Sequence, residues 1–325
     1  MDLGAHFDRE AAMHALDNLI QRRATEDVAA FKESFQYFSQ MNLDNIVVHE
    51  ASRLESSRRE WKLAAMSTNG AVEEEVTFRV HGVLAKVNLV PGNITHLNGQ
   101  KASTLSQRVQ LVGLGSSAFD EMLMNTKVVA DLLRRYFGGQ QSISWRIGED
   151  FGDLQFNCSC LYLTKSINRP EQEIAFGPGV DPFKKFEKFR NQGYIHTALN
   201  VVKYFRRVRE NDELALYECF PGTFRVGDIV EVQGSVVAFP IKDGIMKVAF
   251  RMNALTLEDA TYSKAAEHAR TRQLAPTVHR PLPLKRKSWY EQEGEDAGVG
   301  ITRRKFKDMR LGDAISTDRG AGEKK

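Results

Sequence analysis

Residue types that carry chemistry occur in this chain, but seldom at working spacing. Gly113-Leu114-Gly115-Ser116-Ser117-Ala118 fits the pattern G-x-G-x-x-A. In a dinucleotide fold such glycines let the backbone approach a pyrophosphate at a helix N-terminus. The strand before this stretch turns Arg108 and Gln110 outward, whereas a parallel Rossmann strand is apolar on both faces. The first acid after the following strand, Glu149, lies well beyond the roughly 20 residues the pattern asks for. A turn followed by a helix cap is the better reading. Cys158-Ser159-Cys160 in a strand would point both thiols to one face, and Cys219 could add a third sulfur. No histidine completes the set at zinc spacing, which favours buried thiols. Glu149, Asp150 and Asp153 sit in turn-like sequence and read as solvated. The 8 histidines are scattered, and no H-E-x-x-H, G-x-S-x-G or phosphate-loop pattern occurs. The expectation is a non-enzymatic chain with no cofactor and no metal.

The densest constellation is Phe183-Lys184-Lys185-Phe186-Glu187-Lys188-Phe189-Arg190, followed by Tyr204-Phe205-Arg206-Arg207. Single-stranded nucleic acid is held by cations on phosphates and by aromatic rings against bases. Lys184, Lys185, Phe186, Lys188, Phe189, Arg190, Tyr204, Arg206, Arg207 and Arg251 are therefore the candidate contacts. The same spacing also suits an amphipathic helix that buries Phe183, Phe186 and Phe189 and leaves the lysines in water. Arg79, Arg108, Lys247 and Arg251 point outward from strands and could extend a basic face if the fold brings them together.

The element that must position these groups spans Phe224 to Asp259. Val230, Val232, Val236 and Ala238 share one parity, with Glu231, Gln233 and Ser235 on the other. Val248, Phe250, Met252 and Ala254 alternate in the same way with Lys247, Arg251 and Asn253. Asp243-Gly244 supplies the turn between the two strands. Gly234, inside a strand, marks a bulge or a sharp bend. The run Gly-Asp-x-Val-x-Val-x-Gly, an apolar strand, the Asp-Gly turn and Lys-Val-Ala-Phe-Arg resemble the later strands of OB-fold modules, as in replication protein A-like single-strand-binding proteins. That resemblance implies a small closed barrel and single-stranded nucleic acid as partner. The whole chain also resembles a set of fungal proteins, a likeness that implies no activity.

The spacing of Leu16, Leu19, Ile20 and Arg23 predicts a helix over 8–24; Phe31, Phe35 and Phe38 predict another over 26–41. A third is expected from 45 to 66 around Trp61. Residues 1–70 thus read as a helical arm, either a cap on the core or a means of self-association. Residues 71–165 form a first β half with one helix over about 118–137, capped by Ser116 or Ser117. A long loop spans 166–193 and carries a boundary, and a second β half spans 194–262. The fold class expected is α+β, with an antiparallel, OB-like barrel or sandwich core.

Charge is uneven along the chain. The net value of +3 is the sum of −6 over 1–75, +3 over 76–165, zero over 166–262 and +6 over 263–325. The core is thus not strongly cationic, which argues against tight non-specific DNA binding by the core alone. The basic tail at 263–325 offers little to bury and is expected to be largely disordered after a short helix. It holds two clusters suited to a nuclear address: Lys285, Arg286, Lys287, and Arg303, Arg304, Lys305. No run approaches the ~20 apolar residues of a membrane helix. The charged N-terminus and 3 cysteines suit a reducing, non-secreted compartment, nuclear or cytoplasmic.

Overall fold

A computed structural model describes residues 3–4, 6–26, 34–51, 59–66, 74–90, 102–139, 141–145, 147–150, 153–165, 172–210, 213–241 and 244–274. The chain divides into two compact units, 1–273 and 274–325. Nearly all of the second lies outside the described residues, and with it the expected disorder and both basic clusters. In chain order the elements are α1 (Arg9–Glu26), β1 (Phe35–Tyr37), β2 (Ile46–Glu50), β3 (Trp61–Ala65), β4 (Glu74–Glu75), β5 (Thr77–Asn88), β6 (Ser106–Val112) and α2 (Ser117–Tyr136). There follow β7 (Ile143–Ser144), β8 (Gly148–Asp150), β9 (Asp153–Leu161), β10 (Thr164–Lys165), α3 (Glu187–Arg190), β11 (Tyr194–Ile195), β12 (Lys203–Glu210) and β13 (Glu213–Glu218). The last three are β14 (Ile229–Pro240), β15 (Met246–Asp259) and α4 (Thr261–Leu274).

The alternation read from 224–259 is the organising fact. β14 and β15 pair antiparallel along their length, from Ile229↔Asp259 to Pro240↔Met246, with a register shift at Gln233/Gly234. A Cβ at Gly234 would stand 2.2 Å from the Arg251 carbonyl oxygen. Only glycine allows the backbones to close in at that point, and the bulge lets the pair curl. β14 then pairs β5, β5 pairs β6 and β6 pairs β9, all antiparallel; β9 closes on β15 in parallel. These five strands form a closed barrel. Its filling is apolar and aromatic, with Phe38 set against Phe78, Phe156 and Phe250 at 5.1, 5.8 and 6.3 Å between ring centres.

Strands outside the barrel widen the sheet. β3 runs beside β14 at Val237↔Lys62 and Ala238↔Trp61, and β2 pairs β3. On the other flank β12 lies parallel to β15, and β13 forms the edge. α2 packs Phe119, Met122, Leu123, Val129 and Leu133 into the main core. Ser116 caps it by accepting from the Phe119 N–H at 3.1 Å. α1 sits on the outside of the barrel, where Phe7, Ala12, Leu16 and Leu19 join Val83, Ala85, Val112 and Ile229 in a second apolar cluster.

Several expectations are corrected. Among the described residues of 1–70 only α1 is α-helical: 35–37 is a strand, 38–40 a single 3-10 turn, and 45–66 holds β2 and β3. All five residues of β3 are buried, so Trp61 and Leu63 are better covered as a strand against β14 than as one stripe of a helix. The N-terminal segment is therefore not a free arm; α1 spends its apolar face on the barrel. No boundary falls at 166–193, because β9 from the first half and β14 and β15 from the second share one barrel. Residues 172–193 instead pack onto that barrel through Phe186 and Phe189. No helix among the described residues is long and apolar enough to cross a membrane.

Candidate nucleic-acid interface

Strand pleating sends alternate residues of β6, β9 and β15 outward. Register then sets Arg108 opposite Ser159, and Ser159 opposite Arg251. The next row places Gln110 opposite Asn157, and the Gln110 amide donates to the Asn157 side-chain oxygen at 2.7 Å. Two residues before Ala249, at the start of β15, Lys247 faces out beside Phe239 of β14, its ammonium 5.9 Å from the ring centre. Lys86 of β5 is exposed next to Gln110. The result is a polar, net-positive face centred on β6, β9 and β15 and bordered by Lys86 of β5. Arg251 does not stand alone: its guanidinium meets both Glu60 oxygens, at 2.7 and 2.8 Å. Gln110 Oε1 and Gln155 Nε2 on this face have no hydrogen-bond partner among the described residues. Each such buried group costs about 1–3 kcal/mol.

The run at 183–190 is shaped by Asp181, whose carboxylate accepts from the backbone N–H groups of Lys185 at 2.9 Å and Phe186 at 3.0 Å. Lys184 takes φ +50°, a left-handed conformation unusual for a side-chain-bearing residue. The turn sends Phe186 and Phe189 inward, against Tyr162 and Phe176 at the end of the barrel where β6 begins and β9 ends. Phe183 is left 72% exposed, with the Lys185 ammonium 5.3 Å from its ring.

This corrects the expected open row of rings. Phe186, Phe189 and Tyr204 are core residues, and a ring sealed in a core cannot slide beneath a base. The Tyr204 hydroxyl donates to the buried Gln107 side chain, and burial pushes its pKa well up. Of the cations, Arg190 pairs with Glu173 at 2.7 Å and Arg207 with Glu258 at 2.8 Å. Lys184 is 3.8 Å from Glu187. Lys188 and Arg206 are exposed, lying over the Phe189 and Tyr217 rings. Arg251 is on the barrel face, remote in register from the rest. Of the outward arginines, Arg79 does not join it.

Arg79 instead enters a buried network under α1. It meets Glu231 on β14, whose carboxylate also lies 3.2 Å from His81 Nε2 and 3.7 Å from Arg207. Arg207 continues to Glu258, which Arg23 of α1 reaches at 2.9 Å. Burial alone would raise the Glu231 carboxyl, but the His81 ring and the Arg79 guanidinium override it and hold it well below the ordinary carboxylate range. Ligand atoms of His81, Glu231 and Glu258 lie within 4.8 Å of one another, close enough for a metal ion. Three guanidiniums already balance the two carboxylates there, so the donor set does not fit an added cation. Sequence parity placed Glu231 on the polar face of its strand but not this network, because its members come from five separated segments.

The thiols of Cys158 and Cys160 point into the barrel, as their spacing predicted. Burial pushes Cys160 up to about 12 against the pull of Arg251, and raises Cys158 as well. Neither is poised as a thiolate. Gly113-Leu114-Gly115 makes the turn before α2; a Cβ at Gly113 would stand 2.6 Å from Phe119, so packing rather than a phosphate fills that space. No protein-family profile matches the chain, and no curated protein matches it either.

Proposed function

We propose that this is a non-enzymatic, intracellular β-barrel protein that binds single-stranded nucleic acid across the outer face of β6, β9 and β15. The observation that carries the reading is the row Arg108–Ser159–Arg251, with Lys247 and Phe239 beside it. OB folds are five-stranded Greek-key barrels whose second and third strands present the ligand face. In chain order β6 and β9 hold those places among the five barrel strands, which supports the OB-like resemblance of 224–259. α2, inserted between them, departs from a minimal module. Cations for phosphates and an aromatic ring for a base are what sequence-tolerant binding needs. Phe183 with Lys184, Lys185 and Lys188 offers a second contact of the same chemistry, replacing the buried rings of that run.

Fluorescence anisotropy of a labelled mixed-sequence oligonucleotide across a salt series tests this. Binding should weaken as salt rises, and Arg108→Ala should lower the slope of log K against log salt by about 0.7, the loss of one phosphate contact to a single strand. Absence of binding at low salt would remove the proposal. It would leave the alternative, an interaction or structural scaffold with no nucleic-acid role, which the burial of Phe186, Phe189 and Tyr204 favours.

A further inference from the structure

We infer that two copies of this chain associate through the free edge of β13, strand to strand, about a two-fold axis. Among the described residues β13 pairs only with β12, and so ends the sheet. An open edge is normally blunted by charged side chains, proline or a bulge. β13 reads Glu-Leu-Ala-Leu-Tyr-Glu: its charges are confined to the two ends, its middle is apolar, it has no proline, and it pairs β12 without a register break. Leu214, Leu216 and Tyr217 are 39, 53 and 39% exposed. The opposite edge of the sheet, β2, differs: its apolar residues Ile46, Val47 and Val48 are buried or half-buried, and only His49 and Glu50 are exposed, Glu50 held by Arg59 at 2.6 Å.

The strand's hydrogen-bonding pattern says which groups are free. The Cys219 N–H donates to the Tyr204 carbonyl across the ladder. Antiparallel alternation then turns the odd-numbered residues of β13 toward β12, and directs the N–H and C=O groups of Leu214, Leu216 and Glu218 to the open side. A two-fold axis normal to the sheet preserves its faces. Centred on Ala215, it pairs Leu214 with the other copy's Leu216, and each such pair exchanges two backbone hydrogen bonds. The four leucines form one strip on one face. Glu213 falls opposite Tyr217. This self-complementarity is what selects a second copy over an unrelated strand. A single strand pair buries less than the roughly 1,200 Å² of a standard interface, so the dimer is a weak one.

Sedimentation of the full chain over a wide concentration range should show a monomer–dimer equilibrium. Leu216→Lys, at a half-exposed position, should leave the melting temperature unchanged and shift the equilibrium to monomer at least tenfold. Ala215→Cys should give a disulfide-linked dimer under mild oxidation that the wild-type chain does not. A wild-type chain that stays monomeric throughout overturns the inference, as does a dimer untouched by Leu216→Lys. Should that variant be destabilised, failure of Ala215→Cys to cross-link overturns it independently. None of these outcomes depends on nucleic acid, so this inference and the proposed function fail separately.

Discussion

Glu231 is a fully buried carboxylate on the outer side of a barrel strand, and it is tolerated only because opposite charge surrounds it. Removing one partner of such a network leaves the others buried and unmatched, a loss of about 3–5 kcal/mol. Glu231→Gln should therefore lower thermal stability markedly, since Arg79 and His81 lose the negative charge they face; an unchanged melting temperature would contradict the network's role. The pH dependence has a definite sign. The folded carboxyl is depressed below its ordinary value of 4.5, so its stabilisation is present above that value and drains away as pH falls beneath it. The melting temperature of the wild-type chain should fall on acidification, and Glu231→Gln should flatten that limb. At the same scale, the placement of the first rings in the 183–190 run follows from a single residue's geometry. Asp181 ties down two backbone N–H groups, and the turn it makes decides that Phe186 faces in and Phe183 out.

Elements differ in how legible they were. The β14–β15 pair was readable because its period-two alternation runs long and its bend is marked by Gly234. Gly234→Ala should cost about 3 kcal/mol or more, since the added methyl meets backbone, which cannot swing aside; denaturant titration measures it. α2 was readable from its cap and its inward stripe. β2 and β3 read as helix in sequence because their short apolar runs fit either period, and the burial of β3 depends on partners far along the chain, among them Phe137 after α2, which Trp61 meets edge-on. α1 was correctly helical, yet its role was open. Its apolar side lies on Val83, Val112 and Ile229, so it is a cap. Leu16→Ala should destabilise the fold by about 2–5 kcal/mol without altering the dimer equilibrium, separating α1 from self-association.

For the whole molecule, barrel closure joins strands from both sides of residues 166–193. A single cooperative transition is therefore expected for unit 1–273, with far-ultraviolet circular dichroism and tryptophan fluorescence coincident. Two separated transitions would mean that the halves fold apart. The net charge of +3 is small, so any nucleic-acid binding rests on the local row at Arg108 and Arg251 and on the tail rather than on the field of the whole protein.

What the sequence determined alone was local: alternating strands, a bulge or bend at Gly234, a helix cap at Ser116 or Ser117, and thiols of Cys158 and Cys160 on one face of a strand. Tertiary structure decided which faces were covered. Phe186, Phe189 and Tyr204 went inside, Arg79 and Arg207 into a buried network, and Arg108 and Arg251 onto one face through Ser159. Periodicity reports that a strand has two faces, but burial depends on strand order, and strand order is set by pairing between segments over a hundred residues apart.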